Sequence, residues 1–256
     1  MPSIFLSLVI IVPSVVLSSL GLWAVHRLFP HDIRRKNHEV ADPFLSVLGT
    51  VYSILLAFVV VVVWQRFEAA RDIVEREGNA VASMFHEARA LPEPGASRVS
   101  EAARSYVNVV VTDEWPAMER GQRSAQAVKV TEDLWEALTS IEPGNDRENT
   151  LLGASLQNLD ELNGARHLRL LAAQGGLPPI MWVLLIGGGV VTVLLTYFFS
   201  SPNFRAQIIM TALFAASIAF LLFLIAAIDH PVQGDLKITP EPLQLALETV
   251  AATPRR

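Results

Sequence analysis

Residues 44–64 contain no Asp, Glu, Lys, Arg or His. As a helix rising about 1.5 Å per residue they span roughly 30 Å, one hydrocarbon core. No Pro or turn cluster separates this stretch from WQRFEAARDIVEREG, so the apolar helix is predicted to continue into a charged amphipathic arm. A membrane span is thus joined rigidly to a water-facing helix. The small and hydroxylic residues of the span are not scattered: Ser46, Thr50, Ser53 and Ala57 follow one another at spacings of four, three and four, which places them on one helical face. In a bilayer such a face meets either another helix at close range or water.

With 52% hydrophobic residues and a mean hydropathy of +0.40, the chain is too apolar for one soluble domain of its length and too charged to lie wholly in a membrane. It has no cysteine, which excludes disulfides, thiolate catalysis and cysteine-ligated metals. A formal charge of -5 and the lack of a polybasic tract argue against nucleic acid as a partner. The first apolar run, residues 4–28, is longer than a signal-peptide core and follows no Lys or Arg, so it reads as an anchor.

Taken in order, residues 1–65 form a first membrane hairpin with spans at about 4–28 and 44–64. Pro13 is expected to kink the first span, with Ser14, Ser18 and Ser19 near the freed backbone groups. The intervening connection holds Arg34, Arg35 and Lys36, and the positive-inside rule prefers it on the cytoplasmic side. Arg66, Arg71, Arg76, Arg166, Arg169 and Lys237 weigh about equally for the opposite side. Residues 66–178 show helical periodicity throughout and no strand signal. Phe67, Ala70, Val74, Val81, Phe85 and Ala88 mark the first arm. Val99, Ala103, Tyr106 and Val110 mark a second helix, and Val128, Leu134, Trp135, Leu138 and Ile141 a third. Leu152, Leu156, Leu159, Leu162 and Leu170 mark a fourth, opened by Asn145 and Glu148 at capping-box spacing. Residues 179–228 form a second hairpin with spans at about 180–199 and 207–228; Arg205 between them suits the headgroup level. Gly187, Gly188 and Gly189 have no following Lys-Ser/Thr, so close helix contact rather than a phosphate loop is expected of them. Residues 229–256 read as a proline-containing tail. The fold class is therefore all-α: four membrane helices, two plus two, around a large helical insert.

The motifs of hydrolases, metalloproteases and nucleotide-binding enzymes are absent, and no enzymatic activity or cofactor is expected. His26, His31 and His38 match no common metal spacing. Asp113 and Glu114, before Trp115 and Pro116, read as a solvated acidic turn with a packed tryptophan. Arg166 and Arg169 lie one helical turn apart, and ion pairs with the acidic face of the first arm are expected of them, ahead of a role in drawing anions.

Four stretches together resemble the bestrophin-like family over nearly the whole chain: SVLGTVYSILLAF through WQRFEAAR, YVNVVVTDEWPAM, RHLRLLAAQGGLPPIMWVLLIGGG, and IDHPVQGDLKITPEPL. The resemblance implies a homopentamer in the cell membrane with a cytoplasmic helical domain. Five second helices would surround a central pore for small inorganic ions, with lipid as the other partner. The motif match places Thr50, Ile54 and Phe58 at the bestrophin neck, one helical turn apart, where the family carries apolar side chains; Thr50 departs from that pattern. Together with the polar stripe this gives Ser46, Thr50, Ser53, Ile54, Ala57, Phe58 and Val61 as the expected pore face. Trp64, Arg71, Trp115, Pro116, Arg166, Arg169, Asp229, Pro231 and Gly234 are the expected vestibule or structural motif residues. Eukaryotic bestrophins bind calcium through an acidic run after the fourth helix; only Asp229, Asp235 and Glu241 stand there in this chain. The alternative reading is a non-conducting scaffold or sensor whose helical domain binds a protein partner.

Overall fold

The computed structural model describes residues 2–28, 31–198, 203–233 and 236–252, with side chains described for 7–28, 43–198, 203–233 and 236–248. The described residues are helical in every regular element. They are α1 (Pro2–Leu28), α2 (His31–Ala88), α3 (Gly95–Val109), a π-helical turn (Val110–Glu114), α4 (Trp115–Glu119), α5 (Ala125–Thr139), α6 (Asp146–Gln174), α7 (Pro179–Thr196), α8 (Phe204–Ile228) and α9 (Glu241–Ala252). Four of these helices, α1, α2, α7 and α8, are long and apolar enough to cross a membrane. The chain is an integral, multi-pass all-α membrane protein.

Two compact units divide the chain. One takes the described residues up to Gln65 together with Gly176–Asp229; the other takes Arg66–Gly175, His230–Gln233 and the described residues from Lys237 onward. In the first unit, helices that are apolar all round leave large side chains outward, such as Leu17 at 68% and Met210 at 69% exposure. Such faces suit a hydrocarbon solvent or the apolar side of another helix. Inside, two tyrosines fill notches made by glycines. The Tyr52 hydroxyl donates to the Leu185 carbonyl at 2.7 Å, and its ring lies where a side chain on Gly188 or Gly189 would stand. Tyr197 covers Gly21 in the same way. Gly187 meets nothing, so close contact holds for two of the three consecutive glycines.

The second unit is built on a conventional apolar core. Ala70, Val74, Val81, Phe85 and Ala88 of α2 are buried with Val99, Ala103 and Tyr106 of α3, Leu134 and Leu138 of α5, and Leu159 and Leu162 of α6. Asn145 caps α6 by accepting from the Glu148 N–H at 2.9 Å. Glu148 reaches back to the Gly144 N–H at 2.8 Å, one residue before the expected position.

Several expectations are corrected. The connection after α1 is helical from His31 onward, because no residue before Pro43 breaks a helix. Other expectations stand beside these: α1 runs through Pro13 without ending, and Ser14, one of the serines expected near the freed backbone groups, donates to the Ile10 carbonyl at 2.8 Å. The second hairpin's helices are Pro179–Thr196 and Phe204–Ile228, so the third span ends earlier and the fourth begins earlier than expected. On α5, Val128 and Trp135 are exposed at 47% and 45%, while Ala127 and Val130 are buried instead. The tail carries α9, whose Leu243 and Ala246 are buried. The start of α9 lies so close to α2 that a Cβ on Gly78 would stand 2.8 Å from the Pro242 carbonyl oxygen.

Candidate functional site: an outward helix face and a buried charge cluster

Along the membrane part of α2, Tyr52, Leu56, Val59 and Val63 are buried at spacings of four, three and four. Thr50, Ile54, Ala57 and Val61 repeat the same spacings two residues earlier, about 200° around the helix. They are all exposed, Ile54 and Val61 at 51% each. Ser46, Ser53, Phe58 and Trp64 are exposed as well, with Phe58 at 67%. Every residue expected on the pore face therefore points away from the buried side of α2. The face is not uniform. Ser46, Gly49, Thr50, Ser53 and Ala57, together with Leu45 and Ile54 and with Phe214 of α8, line a groove of about 510 Å³. The other flank is bulky, with Phe44, Val51 and Val62 exposed. The Thr50 hydroxyl donates to the Ser46 carbonyl at 2.6 Å, which leaves its lone pairs facing outward.

The second unit holds a charge cluster with almost no access to solvent. Glu77 and Arg169 are 0% and 1% exposed. Arg169 Nε donates to Glu77 Oε2 at 2.6 Å, and its Nη2 donates to Glu77 Oε1 at 2.9 Å and to Glu114 Oε2 at 2.7 Å. Arg166 Nη2 donates to Glu114 Oε1 at 2.5 Å. Tyr106 donates its hydroxyl to Glu77 Oε1 at 2.6 Å. The Arg169 guanidinium lies 5.2 Å from the centre of the Trp115 ring and 3.4 Å from Met118 Sδ. Two carboxylates thus face two guanidiniums, so the formal charges cancel and the buried ions are paired.

The π-helical turn makes this geometry. Glu114 closes the turn and Trp115 follows it, and both are buried, 0% and 3% exposed, with Glu114 four residues after the buried Val110. Pro116 follows as a first-turn residue of α4 directly after the π-helical turn. Burial pushes the Tyr106 hydroxyl well above its ordinary pKa, and the neighbouring Glu77 charge and hydrogen bond add to this against the opposing pull of Arg169. For Arg169 burial works against the charged form, yet the charge and hydrogen bond of Glu77, with Tyr106 and Glu114, hold its pKa above the ordinary value.

The structure brings Trp115, Arg166 and Arg169 together: Arg169 pairs with Glu77 of the first arm, as expected, whereas Arg166 pairs with Glu114 of the π-helical turn and not with the first arm. Glu114 is not solvated: it is the shared acceptor of both arginines. Asp113 is exposed and accepts the Ser124 hydroxyl instead. Arg71 lies apart on the surface, paired with Glu75 at 3.2 Å. Asp229 accepts the Leu177 N–H at 2.8 Å, just before the Pro178-Pro179 start of α7. Pro231 accepts the Ile238 N–H at 2.8 Å. Gly234 lies outside the described residues. Glu77 was not singled out from sequence, although a signal was present: it sits between Val74 and Val81 on the buried stripe of α2, where a carboxylate requires a partner.

Among the described residues no group of three or more His, Cys, Asp and Glu side chains is placed to hold a metal. Fold and site define an all-α membrane protein with two helical hairpins and a helical insert whose elements are tied by buried ion pairs. The chain belongs to the bestrophin-like family: the family model described as "Bestrophin-like domain" matches residues 12–243. It is similar to a bacterial bestrophin homologue from Klebsiella pneumoniae solved by Zn-SAD phasing, with a TM-score of 0.71, 14% identity, and 95% of this chain and 100% of that chain covered. A single-substitution variant of a Klebsiella pneumoniae homologue gives a TM-score of 0.69 at 15% identity, over 94% and 97% of the two chains. A structure described as a membrane protein with one substitution gives a TM-score of 0.72 at 14% identity, over 95% and 100%. None of the curated proteins matches the chain. Identities this low establish the fold alone. Membership of this family agrees with a non-enzymatic protein.

Proposed function

We propose that this protein is an ion channel of the cell membrane, assembled as a homopentamer in which the outward face of α2 surrounds the pore and the helical unit is cytoplasmic. The observation that carries the reading is the face opposite Tyr52, Leu56, Val59 and Val63: it holds Thr50, Ile54, Ala57 and Val61, all exposed, within a chain of the bestrophin-like family. A ring of α2 helices would set the groove that holds Ser46, Thr50 and Ser53 on one flank of each helix against the bulky flank of Phe44, Val51 and Val62 on its neighbour. Five copies turn Ile54 and Phe58 into apolar rings that gate by dewetting, while the Thr50 ring offers oxygens to an ion that is losing water. Small inorganic ions are the conducted species.

The test is ion flux from proteoliposomes under defined chloride and potassium gradients. Wild type is compared with Ile54→Ala plus Phe58→Ala and with Thr50→Ala. Flux that rises when the apolar pair is removed supports the pore; a folded oligomer that shows no flux in any variant overturns it. A second reading, a scaffold that binds a protein partner, is favoured by the exposed Val128 and Trp135 on α5 and Leu168 and Leu171 on α6. The same flux measurement separates the two.

A further inference from the structure

We propose that the paired ends of α1 and α8 bind the phosphate headgroup of an anionic phospholipid. The His26 ring stacks against the Phe204 ring with centroids 4.2 Å apart, joining the last turn of α1 to the first turn of α8. The residue after each ring is an arginine, Arg27 and Arg205, and both are exposed. No carboxylate pairs with either among the described residues. The contact therefore gathers two cations, without a carboxylate partner among the described residues, at one end of two apolar helices.

The surroundings select a lipid over a free anion. Arg27 lies with its guanidinium carbon 5.4 Å from the centre of the Trp23 ring, and Trp23 is half exposed. Tryptophan prefers the depth where headgroups meet acyl chains, and a guanidinium held over it presents N–H donors toward a phosphate at that depth. Leu20 and Leu28, 56% and 74% exposed, supply apolar surface for the glycerol and upper acyl region of the same molecule. The first N–H groups of α8 are not the site, because the Asn203 side chain takes those of Arg205 and Ala206 at 3.1 and 3.4 Å. Binding rests on the two guanidiniums, whose flat paired donors fit a phosphodiester.

The experiment uses the purified full-length protein in detergent, titrated with phosphatidylglycerol, phosphatidylcholine or inorganic phosphate, with retained ligand read by native mass spectrometry. At about fivefold per interfacial arginine, phosphatidylglycerol is expected to bind roughly thirtyfold more tightly than phosphatidylcholine. Arg27→Gln plus Arg205→Gln abolishes that preference, Arg27→Lys plus Arg205→Lys keeps it, and Arg147→Gln, an exposed site in the other unit, leaves it unchanged. Elution as the wild-type oligomer shows that each variant is folded. Equal affinity for the two lipids in wild type, an undiminished preference in the glutamine variant, or inorganic phosphate displacing the lipid at equal concentration each overturns the proposal. Ion flux plays no part in the readout, so failure here leaves the channel reading untouched, and the reverse also holds.

Discussion

Glu77 of α2 and Arg169 of α6 lie ninety-two residues apart and meet through hydrogen bonds of 2.6 and 2.9 Å, with 0% and 1% of their side chains exposed. Burying either charge alone costs several kcal/mol, so each relies on the other, with Glu114 as a second partner of Arg169 and Tyr106 as a second donor to Glu77. The pair therefore makes the first arm and the last helix of the insert depend on one another.

Replacing Arg169 by Met removes the cation from between Glu77 and Glu114 and leaves two carboxylates buried close together. The expected loss is about 3–5 kcal/mol in the stability of the helical unit, read as a fall in its apparent unfolding temperature. Arg71→Met removes an exposed i,i+4 pair with Glu75 and is expected to cost less than about 1 kcal/mol. If the two variants unfold alike, the buried cluster does not hold the unit together.

Tyr106 gives the same cluster a pH signature. Its hydroxyl titrates higher in the folded protein than the ordinary value of about 10, chiefly through burial and then through the Glu77 charge. A group whose folded pKa is raised contributes its full stability below the unfolded pKa and loses it as pH rises beyond. Tyr106 is thus expected to leave stability flat around neutrality and to lower it steadily above about pH 10. Tyr106→Phe removes that alkaline slope. At neutral pH it costs about 1–3 kcal/mol, since Glu77 loses a hydrogen-bond donor. Unfolding midpoints measured across alkaline pH for both proteins check this.

Neighbouring glycines of α7 are predicted to differ sharply. A methyl on Gly188 would stand 2.7 Å from the Tyr52 ring, which cannot swing away while its hydroxyl holds the Leu185 carbonyl; a methyl on Gly187 meets nothing within 4 Å. Gly188→Ala is expected to destabilise the membrane unit by about 1–3 kcal/mol, as overpacking does. Gly187→Ala is expected to be neutral or slightly stabilising through helix propensity. Thermal stability in detergent of the two variants distinguishes them.

The membrane spans were legible because burial in lipid demands uninterrupted apolar length, and residues 44–64 provide it without ambiguity. The apolar stripe of the first arm was legible for the same kind of reason: helical periodicity at Val74, Val81 and Phe85 reports a buried face. Glu114 was misread because a carboxylate beside Asp113 suggests a solvated turn, although it follows Val110 at the helical spacing of four that marks the buried face of α3. Helix α9 was hidden behind three prolines that resemble a loop, although Glu241 and Pro242 are good first-turn residues and Leu243, Ala246 and Leu247 recur at helical spacing. The outward face of α2 was visible as a stripe, but one chain's sequence does not say what a stripe faces.

Water reaches a pore face and does not reach a lipid face, and the absence of native cysteine makes that difference measurable. Single cysteines at Thr50 and Ala57 lie on the outward face of α2; Met210 on α8 is equally outward, at 69% exposure. Thiol reagents attack the thiolate, which forms in water and not in hydrocarbon. Under the channel reading, a charged, water-soluble thiol reagent modifies Thr50→Cys and Ala57→Cys in proteoliposomes and blocks their flux, while Met210→Cys stays unmodified. Cysteines at Leu56 and Val59, on the buried side of the same helix, also stay unmodified. If Thr50→Cys proves as inert as Met210→Cys in a folded oligomer, the outward face of α2 meets lipid or protein, and the pore lies elsewhere or does not exist.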